Sequence, residues 1–255
     1  MDLKFDPSLA AYKSASQNVR AMSEGWASTN LYCPNCGKSA LRKFANNRPV
    51  ADFYCESCAE QFELKAGRSA AGRRIVNGAY QTLLDRLTSN TVPNLLLLHY
   101  SANCAAVHTL IAIPRRFFVP SIVERRKPLA ETARRAGWVG SNIRLDLVPT
   151  IGRIRIVADG IPVDKQAVQS TWHKSSHLDG ADLESRGWLL DVLLCVDKIA
   201  SQSFSLQDVY AFEAHLQKLH PQNGNVRPKI RQQLQVLRDR NYIEFISSGQ
   251  YRKKG

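Results

Sequence analysis

The sequence predicts an α/β domain over residues 1–181 and a mostly helical winged helix-turn-helix domain over 182–255. Three observations carry this. Asn94–Tyr100 (NLLLLHY) and Val107–Ile113 (VHTLIAI) are short apolar runs bounded by prolines, with the length of buried strands. Ala79–Leu87 instead has helical spacing, with Tyr80, Leu83, Leu84 and Leu87 on one side. From Leu183 the pattern changes to three helical stretches and a short hairpin.

In chain order, residues 1–30 read as a polar helical entry segment. Residues 31–65 hold four cysteines and two short strands, Val50–Tyr54 and Phe62–Lys65. The helix and two buried strands follow. Arg125–Gly140 is basic, rich in small residues and loop-like. Ile154–Val157 and Ile161–Val163 flank Ala158-Asp159-Gly160, a hairpin signal. Residues 164–180 are polar and close the first domain. In the second, Trp188–Ile199 is apolar and helical. Ser205, with Asp208 three residues later, resembles a capping box and starts a helix through His215. A third helix starts near Pro228, a residue suited to a first helical turn, and runs to Arg240 with Ile230, Leu234 and Leu237 on one face. Tyr242–Phe245 and Tyr251-Arg252 form the wing, joined at Ser247-Ser248-Gly249.

The 255 residues carry a formal net charge of +13, which favours a polyanionic partner, nucleic acid above all. The excess is local: residues 111–144 hold eight Arg/Lys against two Glu, and residues 226–255 hold eight against Asp239 and Glu244. Two basic patches predict two nucleic-acid surfaces, the second on a third helix suited to the major groove. No apolar run approaches the ~20 residues that span a bilayer, and Met1-Asp2-Leu3-Lys4 lacks an apolar signal core. The expected location is the cytoplasm, where six cysteines point to metal rather than disulfides.

Cys33, Cys36, Cys55 and Cys58 form C-x2-C-x18-C-x2-C, the spacing of a structural four-cysteine zinc site. Cys104 and Cys195 stand alone among apolar residues and read as core. Along Phe62–Lys65, alternation puts Glu63 and Lys65 on one strand face and Leu64 on the other, and a hairpin through the second cysteine pair can bring Asp52 beside them. Asp52, Glu63, the Leu64 carbonyl and a phosphate oxygen suit Mg²⁺, with Lys65 to orient or activate a water. The spacing Asp-x10-Glu-x-Lys resembles that of PD-(D/E)xK nucleases, although Pro49 stands three residues before Asp52 rather than adjacent.

Longer blocks extend the likeness: CPNCG (33–37), NNRPVADFYC (46–55), FELK (62–65), RKPLAETARRAGW (126–138), SSHLDGADLESRGW (175–188) and IRQQLQVLRDRNYIEF (230–245). Together they resemble DpnI-type methyl-directed restriction endonucleases, which cut GATC sites containing N6-methyladenine. The resemblance implies a mixed-sheet PD-(D/E)xK core with a zinc-binding insertion and a C-terminal winged helix, both reading methylated double-stranded DNA. It implies Asp52, Glu63 and Lys65 as catalytic residues, the Leu64 carbonyl as a metal ligand, and Trp138 as an aromatic near the methyl groups. Arg134 and Arg135 are candidates for phosphate or guanine contacts. Arg227, Lys229, Arg231 and Gln232 are the candidates in the second domain, with Gln233 an equal candidate beside Gln232 for adenine. The expected form is a bacterial monomer needing no protein partner. A zinc-containing DNA-binding regulator without catalysis, or a structure-specific repair nuclease, are the alternatives.

Overall fold

The structure, a computed structural model, describes residues 1–45, 51–101 and 105–254. Helix α1 (Ala15–Asn30) leads into strands β1 (Arg42–Lys43), β2 (Phe53–Tyr54), β3 (Gln61–Gly67) and β4 (Arg74–Ala79), then helix α2 (Tyr80–Thr88). Strands β5 (Asn94–Ser101), β6 (Ala106–Ile113), β7 (Val123–Arg125), β8 (Gly140–Arg144), β9 (Ile154–Ala158) and β10 (Ile161–Pro162) follow, then helices α3 (Lys165–Lys174) and α4 (Leu183–Lys198). The chain ends with β11 (Ser203–Ser205), α5 (Leu206–Tyr210), α6 (Glu213–Leu219), α7 (Val226–Asp239), β12 (Ile243–Ser247) and β13 (Gln250–Lys253).

The central seven-stranded sheet has the order β1-β2-β3-β5-β6-β9-β10. It is mixed: β3 and β5 run parallel, and the other neighbours are antiparallel. Register places Glu63 opposite Leu95 and Lys65 opposite Leu97, so these four share one face, while Phe62, Leu64, Leu96 and Leu98 share the other. Strand β5 is buried on both faces, as its unbroken leucine run predicts. The buried Asn94 at its start is fully used. Its amide donates to the Gln61 carbonyl and to Glu60 (2.8 Å each), and its oxygen accepts the Arg115 N–H (2.8 Å).

The two sheet faces build two apolar cores. One joins Phe62, Leu96 and Leu98 to Trp26 of α1, Trp172 of α3, and Cys33 and Cys55. The other joins Leu95, Leu97, Ile113, Phe117 and Phe118 to Trp188, Leu189 and Val192 of α4 and Ile230, Leu234 and Leu237 of α7. The winged-helix side chains pack chiefly on one another, α4 and α7 above all, and their apolar cluster is continuous with the core over the Glu63/Lys65 face.

Several elements differ from expectation. A second sheet, β4-β8-β7, lies outside the predicted set. Its strands are short, and β4 alternates exposed with half-buried positions, so no apolar run announces it. Residues 164–180 are not merely a polar closing segment. They hold α3, capped by the Asp164 carboxylate accepting from the Ala167 N–H and burying Val168 and Trp172, four residues apart. The Ser205–Asp208 capping box is present. The helix it starts ends early, because the Phe212 N–H turns to the Val209 carbonyl (3.1 Å) in a tighter 3-10 turn before α6 begins. The wing sheet gains a third strand, in the order β11-β13-β12. Val50, Pro49 and Cys104 lie outside the described residues; Cys195 is buried, as expected of a core thiol.

Arg116 ties the end of the first segment to the sheet. It is 2% exposed, and burial pulls its pKa down, with Asp179 opposing. Its guanidinium donates to Ser175 Oγ (2.9 Å), the Trp172 carbonyl (2.7 Å) and Asp179 (2.5 Å). Arg116→Met should strand the buried Ser175 and Trp172 acceptors, leave Asp179 unpaired, and cost about 3 kcal/mol. That is a fall in melting temperature of roughly 6–12 °C for a protein of this size, measured by thermal denaturation.

Candidate metal centre, active site and nucleic-acid interface

The two cysteine pairs sit in two turns of the same design. In the first, the Gly37 N–H donates to the Cys33 carbonyl (2.8 Å) and the Cys33 N–H to the Lys38 carbonyl (2.9 Å). In the second, Ala59 and Cys55 donate to Cys55 and Glu60 in the same pattern, at 2.9 Å each. Gly37 and Ala59 are both left-handed, with φ of 74° and 58°. All four Sγ atoms lie within 4.8 Å of one another, with Cys33–Cys58 and Cys36–Cys55 at 3.5 Å. A tetrahedral site with Zn–S bonds of about 2.3 Å sets sulfurs about 3.8 Å apart, so the cluster can hold a zinc ion. Burial pushes the Cys33 and Cys58 thiols up, a cost that a bound cation would reverse. Helix α3 braces the first turn: Gln169 and His173 reach the Asn35 carbonyl and side chain at 3.4 and 3.0 Å.

The second turn connects β2 to β3, so Asp52, one residue before β2, meets Glu63 and Lys65 across a hairpin. The Asp52 N–H donates to the Phe62 carbonyl (2.9 Å), and the Leu64 N–H donates to Asp52 Oδ2 (2.7 Å). Lys65 Nζ is 2.6 Å from Glu63 Oε1. The three side chains line a cleft of about 320 Å³ with Asn77 of β4 and Thr82 and Arg86 of α2. The Leu64 side chain packs toward the opposite core, as alternation requires.

Helix α1 reaches the same place from the other side. Arg20 lies 2.5 Å from Glu24 and 3.9 Å from Asp52, and Lys43 lies 2.6 Å from Glu24. Burial alone would raise the Glu24 pKa; Arg20 and Lys43 overcome it and hold the carboxyl below its usual value. This pairing adds stability above the ordinary glutamate pKa, lost as the pH falls through the folded value.

Arg134, Arg135 and Trp138 occupy the connection from β7 to β8. The loop is closed on itself by Leu129 N–H to the Trp138 carbonyl (3.0 Å) and Gly137 N–H to the Leu129 carbonyl (3.1 Å). Both arginines are exposed, and the Arg135 guanidinium lies 4.7 Å from the centre of the half-buried Trp138 ring. That ring covers Gly140 so closely that a Cβ there would come within 2.8 Å of it. On α7, Arg227, Arg231 and Gln232 are exposed and Lys229 is half-buried. Arg227 pairs with Glu213 (2.8 Å) over the Tyr210 ring, and Arg231 donates to the Tyr210 hydroxyl (2.7 Å). Gln233 is 6% exposed and faces the core, which removes it as a base reader; one step around the helix separates it from Gln232.

Two family models match. The DpnI model, the Dam-replacing family, covers residues 1–180. The chain belongs to the Dam-replacing family. The model of the Dam-replacing HTH domain covers residues 184–253. Membership in the Dam-replacing family supports a methyl-directed restriction endonuclease as the general activity and DNA as the partner. Among the described residues no helix is long and apolar enough to cross a membrane.

Sequence reasoning missed Arg86 in this cleft and Arg20 and Glu24 beside Asp52 on the α1 side. Arg20 and Glu24 carry an i,i+4 charge signature, but that spacing is common on solvated helices and names no target. Arg86 has no local signature; only the packing of α2 brings it to the cleft.

Proposed function

We propose that this chain is a type II, methyl-directed restriction endonuclease that hydrolyses phosphodiester bonds of double-stranded DNA at GATC sites containing N6-methyladenine. The observation that carries the reading is the convergence of Asp52, Glu63 and Lys65 on one cleft, on a hairpin whose turn is the four-cysteine cluster. Asp52, Glu63 and the Leu64 carbonyl would hold Mg²⁺, which supplies Lewis-acid polarisation of the phosphate and a bound water of lowered pKa. Lys65 offsets the repulsion of the two carboxylates and orients the attacking water from 2.6 Å beside Glu63. The Leu64 N–H holds Asp52 Oδ2, which leaves Oδ1, 3.9 Å from Arg20, as the oxygen for the metal. Zinc in the cysteine cluster is structural, since four thiolates leave no open position.

Residues 1–181 act as the catalytic domain and residues 182–255 as the winged-helix reader, in a cytoplasmic monomer. Burying one methyl carbon contributes only ~0.8 kcal/mol, roughly fourfold in affinity, which is too little for strict dependence. A palindromic GATC site carries two methyls, and two domains can each read both. The Trp138 face beside Arg134 and Arg135 is the proposed methyl reader in the first domain. Arg227, Lys229, Arg231 and Gln232 read in the second.

Plasmids with and without GATC adenine methylation, incubated with the protein and Mg²⁺, test this. Only the methylated plasmid should be cut, with mapped ends inside GATC. Equal cutting of both would overturn methyl dependence, and cutting of neither would overturn the nuclease reading.

A further inference from the structure

We propose that Arg86 is a phosphate-binding residue of the cleft, its guanidinium receiving the non-bridging oxygens of the phosphodiester to be cut. The inference rests on the nuclease reading and extends it to a residue outside the Asp-Glu-Lys set. Strand β4 passes into α2 without an intervening loop, and the Tyr80 N–H is fixed to the Val139 carbonyl at 3.1 Å. Leu83 and Leu87, four apart, anchor α2 in the core. Thr82 and Arg86, also four apart, then face the cleft that holds Asp52, Glu63 and Lys65.

The neighbouring carboxylates are already engaged: Glu63 with Lys65 at 2.6 Å, Asp52 with the Leu64 N–H at 2.7 Å, and Asp85 with Gln81 at 2.9 Å. Among the described residues the Arg86 guanidinium has no ion-pair partner. Burial pulls its pKa down and Glu63 opposes this, so it feels the carboxylate without pairing to it. Among the described residues its five N–H donors have no side-chain acceptor, which leaves them open to a ligand in the cleft. A phosphate entering between Arg86 and the carboxylate pair supplies that acceptor, and the planar fork fits its two oxygens side by side. The alternative is that Arg86 only balances the charge of Asp52 and Glu63. The two differ in what they predict for metal: a balancing cation, once removed, should tighten Mg²⁺ binding and leave the rate at saturation intact.

The test compares wild type, Arg86→Ala and Arg86→Lys on one methylated duplex, under single turnover across a Mg²⁺ titration, with melting curves on each protein. A phosphate-binding role predicts about a 100-fold lower rate for Arg86→Ala at saturating Mg²⁺. Arg86→Lys should lie between, with half-saturating Mg²⁺ and melting temperature unchanged. A second measurement needs no cleavage. Without Mg²⁺, a duplex with an uncharged methylphosphonate at the mapped scissile position should bind wild type roughly tenfold more weakly than the normal duplex, and Arg86→Ala should bind the two alike. An unchanged rate, a defect erased by more Mg²⁺, or the same methylphosphonate penalty in both proteins would overturn the proposal. Failure of wild type to cut would instead overturn the nuclease reading on which it stands.

Discussion

Asp52→Ala and Asp52→Asn should both lose cleavage of methylated DNA by about three orders of magnitude, close to ~4 kcal/mol of barrier. Only the alanine should also destabilise the fold. The Asp52 carboxylate has two tasks. One oxygen accepts the Leu64 N–H at 2.7 Å and so locks the end of the β2–β3 hairpin. The other, 3.9 Å from Arg20, is the proposed metal ligand beside Glu63. Asparagine keeps an oxygen for Leu64 but removes the charge that a divalent cation needs, so its melting temperature should stay within a few degrees of wild type. Alanine removes both and gives up a charge-assisted bond worth about 1.5–3 kcal/mol. Binding to methylated duplex in a gel-shift assay should survive in both, because neither basic surface includes Asp52. An Asp52→Asn protein that cuts at wild-type rate would remove this carboxylate from the chemistry.

That division of labour explains what could be read in advance. The alternation Phe62-Glu63-Leu64-Lys65 sorts two faces by polarity alone, and the structure keeps that sorting because Phe62 and Leu64 join one core while Glu63 and Lys65 look into the cleft. The cysteine spacing and the Ser205–Asp208 capping box are local chemistry, equally legible. The β4-β8-β7 sheet was not, since Arg74–Ala79 pairs with Gly140–Arg144 across a long stretch of chain and has no fully buried position. Nor was the shared core. Helix α4 is apolar nearly all round, with residues from Arg186 through Val196 buried, which requires cover on every side. The sequence does not say that, beside α7 and α5, part of that cover comes from the Phe117–Phe118 turn of the first segment.

The two-core arrangement also predicts how the cysteine cluster should fail. Cys58→Ser should lower zinc content and reduce cleavage by at least about 100-fold, although it alters none of the three proposed catalytic side chains. Tyr54 ends β2 immediately before Cys55, and Gln61 starts β3 three residues after Cys58, so the second cysteine turn is the turn of the hairpin that carries Asp52, Glu63 and Lys65. Losing one thiolate leaves the remaining buried sulfurs without a complete set of partners. It also removes much of the metal-binding free energy that, in a four-thiolate site, is folding free energy. Cys33 and Cys55 belong to the core with Trp26, Phe53, Phe62 and Trp172, whereas α4 and α7 belong to the core on the other sheet face. Hydrogen exchange should therefore rise in Leu31–Lys43, β2, the start of β3 and α3, where Gln169 and His173 brace Asn35. Protection in α4 and α7 should persist. Uniform loss of protection across the chain would show that the cores unfold as one, and unchanged exchange around β2 would show that the hairpin holds without metal.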